Sequence, residues 1–168
     1  MDSHNTFETR ATAGLARLEW GGLLVTCAVL TLLHWNQVDW VTFVALFVVI
    51  DAIGYLPGAV AFRRSGTGDI SRVYYALYNA MHCLTTWTLI LGVWVVWSGW
   101  QWAFLAVPLH LLGDRALFGN SLKPFGVSFE PKTHPAFADF RARYGAAEAR
   151  RLRRTDAAAN LQVDSARG

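Results

Sequence analysis

Long apolar stretches alternate with short polar ones along this chain, in a rhythm too coarse for β-strands. Four stretches, roughly residues 18–35, 40–62, 73–97 and 100–118, are almost wholly apolar. A helix that crosses a bilayer needs about 20 mostly apolar residues, and each stretch is near that length. Backbone amides in hydrocarbon must be satisfied within their own segment, so helices are the expected form. The turns inside the first pair (NQVD) and the second pair (SGW) are very short, which predicts two antiparallel helical hairpins. Trp35, Trp40, Trp97, Trp100 and Trp102 cluster at those turns, as an interfacial aromatic belt would. The expected fold is all-α: an integral membrane four-helix bundle over residues 17–118, after a polar N-terminal tail of residues 1–16.

Charge supplies the direction. All 15 Lys and Arg residues lie before the first span, between the second and third, or from Arg115 onward. By the positive-inside rule both termini are cytoplasmic, in the cell's inner (plasma) membrane. This topology also accounts for the pI near 9.1, so the basic balance is no reason to expect a nucleic-acid partner. Charged residues are only 16% of the chain, against about 25% in soluble domains. The polar start, MDSHNTFETR, lacks the basic-then-apolar pattern of a cleavable signal. Cys27 and Cys83 sit inside apolar stretches and read as buried free thiols. The loop RRSGTGDISR has too little glycine pattern for a phosphate loop and reads as a flexible turn.

Beyond the fourth span, Gly119, Pro124, Gly126, Pro131 and Pro135 predict an irregular cytoplasmic segment over 119–136. Residues 137–154 place Phe137, Phe140, Tyr144 and Ala147 at helical spacing, with Arg141, Arg143, Arg150, Arg151, Arg153 and Arg154 filling much of the remainder. That is a basic amphipathic helix, suited either to an anionic membrane surface or simply to solvent. Residues 155–168 read as a disordered tail.

Polar groups inside the spans change the picture most, because ionisable side chains at membrane depth cost several kcal/mol on insertion scales and mark functional sites. Glu19 opens span one. Asp51 lies midway along span two, with Tyr55 one turn later. Span three carries Tyr75, Tyr78, Asn79 and His82 at offsets 0, 3, 4 and 7, one helical stripe. Span four carries His110 and Asp114 at i and i+4, followed by Arg115. At a rise of about 1.5 Å per residue, Asp51, His82 and His110 fall at matching depths near mid-membrane. A bundle with these faces inward would hold a polar chamber open to the cytoplasm. Each group also has a plainer reading. Tyr75 suits an interfacial anchor, Asn79 an interhelical hydrogen bond, Arg115 a span end, and the whole set a structural network. Gly54, Pro57 and Gly58 suggest a kink or a close helix approach.

Several of these residues stand in a recognisable order: RLEW at span one, Gly54-Tyr55, Tyr78-Asn79 with His82, His110 with Asp114-Arg115, then Lys123 and Thr133-His134. In this the chain, from about residue 16 to 135, resembles an uncharacterised family of small bacterial four-helix integral membrane proteins. The resemblance implies the fold and the set of residues, and no activity. In the family's pattern the span-two aspartate lies further ahead of the Gly-Tyr pair than Asp51 does.

The function expected from the residues is acid–base chemistry, such as isomerisation, cyclisation or hydrolysis, on a hydrophobic, lipid-soluble substrate. Asp51, His82, His110 and Asp114 are the candidate catalytic residues. Asp51 would be an acid kept protonated by burial, and either histidine the base. Glu19, Tyr55, Tyr78, Asn79, Arg115 and Lys123 are the candidate substrate-binding residues. No cofactor is called for. A divalent metal on the histidines and aspartates is an alternative, disfavoured by the lack of an HxxH, HxxxH or ExxH pair. A small transporter or complex subunit with a structural polar cluster is another.

Overall fold

The computed structural model of the protein describes residues 10–130 and 135–165. The expectation for Thr133 and His134 lies outside them. Among the described residues every regular element is helical. Two units divide the chain, residues 1–130 and 131–168.

In the first unit, α1 (Arg10–Leu33) starts within the expected polar tail, well ahead of the expected span. The next span is two nearly continuous helices, α2 (Trp40–Gly54) and α3 (Leu56–Arg64). Asp39 caps α2, its carboxylate accepting from the Val41 and Thr42 amides and from the Thr42 hydroxyl. Those donors hold its pKa below the ordinary carboxylate value. Pro57 lies in the first turn of α3, where its missing N–H costs least.

The third span is broken. Helices α4 (Arg72–Met81) and α5 (Leu84–Ser98) meet at 57° around His82 and Cys83. No Gly or Pro causes this break; side chains take over the carbonyls that it frees. The Trp87 indole donates to Met81 O at 2.6 Å, and Arg115 donates to His82 O at 3.4 Å. His82 turns its own Nδ1 back to Tyr78 O at 3.0 Å.

The fourth stretch opens with a 3₁₀ turn (Trp102–Leu105), continues as α6 (Ala106–Gly113), and ends in a π-helical turn (Asp114–Phe118). Gly119, at φ 71°, closes it in the left-handed region, and Asp114 O accepts from both the Gly119 and Asn120 amides.

Two helices are long and apolar enough to cross a membrane, Ala11–Leu33 and Trp40–Arg64, and the bent pair α4–α5 makes a third if it acts as one span. Their outward faces carry Leu15, Leu32, Val41, Leu89, Val93, Val96 and Trp97, all exposed. A surface so apolar is unusual on a water-soluble monomer and is consistent with a membrane protein. The stretch 102–118 occupies the centre, with Ala103, Phe104, Ala106, Val107 and Leu111 fully enclosed. It packs on α1, α2 and α5.

Two apolar clusters result. Leu46, Ile50, Trp87, Phe104, Val107 and Leu111 form one, and Ala59, Tyr75, Tyr78 and Phe129 the other. Along their helices, Asp51 and His82 fall between residues of the first cluster and residues of the second. The second cluster exists because residues 119–130 are docked. Irregular backbone is observed there, as expected, yet Phe129 is completely buried.

The second unit contains α7 (Pro135–Ser165). Phe140 stacks on Tyr144 beside Phe137, and Asp139–Arg143 and Glu148–Arg151 pair one turn apart. Residues 155–165, expected to be disordered, continue this helix; their Ala-rich sequence, TDAAANLQVDS, favours helix and contains no breaker.

Candidate functional site

Three elements deliver four side chains to one point. Asp51 comes from α2, His82 from the break after α4, and His110 and Asp114 from one face of α6 as it passes into the π turn. His82 Nε2 lies 3.3 Å from Asp51 Oδ1 and 3.5 Å from Asp114 Oδ2. His110 Nε2 lies 3.7 Å from Asp51 Oδ2 and 3.7 Å from Asp114 Oδ2. Each imidazole thus faces both carboxylates, and each carboxylate faces both imidazoles. These separations are longer than the about 2.7–2.9 Å of a charge-assisted N–H···O bond, His82–Asp51 being the shortest.

Local structure makes this arrangement. Ending α4 at His82 frees the imidazole to sit across the axis, stacked on the Tyr78 ring at 3.9 Å. Gly54 gives it room: a Cβ there would lie 2.8 Å from Met81 Cβ and 3.1 Å from the His82 ring. The His82 Nδ1–H donates to Tyr78 O, which fixes the tautomer and points the Nε2 lone pair at the centre when the ring is neutral. His110 lies edge-on to Phe47 at 4.7 Å, and its Nδ1 is buried without a hydrogen-bond partner.

The two histidines are 5% and 7% exposed, Asp114 18% and Asp51 47%. Asp51, expected to be an enclosed acid, is therefore the open side of the group. Phe47 and Val48, on the same face of α2, are exposed as well.

The other candidates are placed differently from the expected open chamber. Asn79 spends its whole side-chain amide on one residue of the docked segment: Nδ2 donates to Lys123 O at 2.9 Å and Oδ1 accepts from Lys123 N at 2.7 Å. Tyr75 donates to Val127 O, and Tyr55 to Glu130 Oε1. The Lys123 ammonium donates to Phe129 O and lies 4.7 Å from the Tyr78 ring centroid and 4.4 Å from that of Phe129. Burial lowers the Lys123 pKa, partly opposed by Glu130. The polar stripe of α4 therefore meets residues 123–130 along most of its length and the centre only at His82. Beside the centre, Tyr78, His82, Asp114, Arg115, Asn120 and Ser121 line a shallow cleft with no room for a water molecule.

Arg115 is a strut, its guanidinium 4.8 Å from the Trp20 ring of α1. Glu19 is exposed on α1 and is not brought to the group. Phe129, Glu130 and Trp87 are positioning residues that sequence reasoning missed; the only signal for Phe129 was an apolar ring inside a polar, proline-flanked stretch.

The ligand atoms of Asp51, His82 and His110 all lie within 4.8 Å of one another, close enough to share a metal ion. His110 and Asp114 stand at i and i+4 on one helical face, and no HxxH, HxxxH or ExxH pair is present in the sequence. Comparison with protein-family models, with curated proteins and with solved structures found no match.

Proposed function

We propose that the protein is a multi-pass membrane protein whose His/Asp centre performs proton-transfer chemistry on a lipid-soluble substrate that arrives through the bilayer. The observation that carries this reading is the half-open Asp51 carboxylate, set among exposed apolar residues of α2 and backed by two buried imidazoles. A substrate dissolved in the membrane would meet Asp51 first. The centre's gaps of 3.3–3.7 Å leave space for a guest atom between the four groups.

In this reading one imidazole accepts a proton from the substrate or from water, and a carboxyl–imidazole pair returns one to the product. The net proton count is unchanged, as isomerisation, cyclisation or hydrolysis requires. Residues 119–130 then act as a plug that keeps the cytoplasmic side dry. The bacterial four-helix family that the motifs resemble, and the inner-membrane location with cytoplasmic termini, belong to the same proposal.

The test compares the lipid extracts of cells making the native protein, Asp51→Asn or His82→Gln, by untargeted mass spectrometry. The expected result is a pair of hydrophobic compounds, equal in mass or differing by water, whose ratio shifts only with the native protein. Indistinguishable extracts from three equally folded proteins would sink the reading.

A further inference from the structure

We propose that Asp51, His82, His110 and Asp114 together bind one divalent metal ion of the zinc type. The inference rests on the reading that this group is a working centre and names its cofactor; with both Nε2 lone pairs on the ion, the proton acceptor of that reading becomes the exchangeable Asp51 carboxylate rather than an imidazole.

Spacing comes first. Four tetrahedral ligands with bonds of about 2.0–2.1 Å place neighbouring ligand atoms about 3.3–3.4 Å apart. The four imidazole–carboxylate separations are 3.3, 3.5, 3.7 and 3.7 Å. Each is close to the length of such an edge, with Asp114 meeting both imidazoles through Oδ2, and Asp51 meeting His82 through Oδ1 and His110 through Oδ2. The ligand atoms of Asp51, His82 and His110 also lie within 4.8 Å of one another, as a shared ion requires.

Orientation comes second. Both histidines present the same atom, Nε2, to the centre. For His82 the other ring nitrogen donates to the Tyr78 carbonyl, the outer hydrogen bond that metal-ligating histidines use to fix their tautomer. His110 has no such partner on its Nδ1, so its ring is positioned by packing against Phe47.

Charge comes third. Two carboxylates carry a formal charge of −2, which a divalent ion cancels with both imidazoles neutral. A low-dielectric surrounding favours that neutral sum. Two imidazoles with two carboxylates suit zinc and its first-row neighbours better than magnesium or calcium, which take all-oxygen sets. Asp51, half-exposed, is the ligand most easily exchanged for water or substrate, so the site has the form of a catalytic rather than a sealed metal centre.

The experiment uses the full-length protein in lipid nanodiscs, free of any affinity tag, with metal content read by mass spectrometry. About one zinc per chain is expected. After chelation, titration with cobalt(II) should give the intense visible bands of a tetrahedral ion. His82→Gln and His110→Gln should each weaken binding at least about tenfold, while His34→Ala, at the far end of α1, should leave it unchanged. Monodisperse elution and an unchanged helical spectrum establish that each variant is folded.

The proposal is overturned if the folded native protein holds neither zinc nor cobalt, or if His34→Ala loses metal while the centre variants keep it. A metal-free native protein that still shifts the lipid ratio through Asp51 would end the metal inference and leave proton transfer standing. Stoichiometric zinc with unchanged lipid extracts would do the reverse.

Discussion

Two glycines four residues apart set how closely α2 and α3 can pack against α4 and the docked segment. Gly54 faces Met81 and His82, and Gly58 faces the ring of Phe129; at Gly58 an added Cβ would fall inside contact distance of that ring. Gly58→Ala should therefore overpack the second cluster and destabilise the protein by about 1–3 kcal/mol. Gly92 in α5 has nothing within 4 Å of an added Cβ. Gly92→Ala should stabilise by about 0.5–1 kcal/mol through helix propensity alone. Thermal unfolding of both variants in the same detergent checks the contrast, and equal midpoints would refute this account of the packing. Lys123 adds a pH signature. Its burial lowers the folded-state pKa, so between that value and the ordinary one of about 10.4 the unfolded chain binds the extra proton. Stability contributed by the docked segment should then rise with pH as it approaches 10, and Lys123→Met should flatten the rise.

At the scale of elements, much was legible in the sequence and the remainder has an identifiable cause. Helix positions and the shared depth of Asp51, His82 and His110 follow from hydrophobic periodicity and a fixed rise per residue, which are local quantities. The break at His82 was not legible: no Gly or Pro marks it, and it depends on Trp87, Arg115 and the imidazole capping three carbonyls. Nor was the docking of residues 119–130. That segment has no periodicity, and its contacts join residues 44 to 75 positions apart. Composition identified it as irregular; only tertiary structure shows that Phe129 is core. Asn79 holds it by two hydrogen bonds to one backbone unit. Asn79→Ala should cost about 1–3 kcal/mol, since Lys123 N and O lose their partners in a half-buried place. Amide exchange across 120–130 should speed up, with exchange in α1 unchanged. Equal protection in the variant would mean that Phe129 alone retains the segment.

For the whole molecule, the parity of membrane crossings decides where the two termini lie. Residues 102–118 number 17, about 26 Å at helical rise against a hydrocarbon core of about 30 Å. A stretch this short would be a poor lone span. Yet it is the most enclosed part of the first unit, shielded by α1, α2 and α5, so its neighbours meet the lipid in its place. It also bears His110 and Asp114, which must reach the depth of Asp51 and His82 for the centre to exist. If α4–α5 and this stretch both cross, there are four crossings, and residues 66 and 125 share a side opposite residues 36 and 99. If the stretch turns back before crossing, residues 66 and 125 lie on opposite sides. Single cysteines at 36, 66, 99 and 125, all exposed, in a background lacking Cys27 and Cys83, can be labelled with a membrane-impermeant maleimide on intact cells. Labelling at 36 and 99 alone is the expected result. It follows from the positive charge at Arg63, Arg64, Arg72 and Arg115, each of which would otherwise have to be carried across the bilayer. Label at 125 as well would place residues 119–130 on the side opposite Arg64 and Arg72, which is incompatible with Asn79 holding Lys123 and Tyr75 holding Val127.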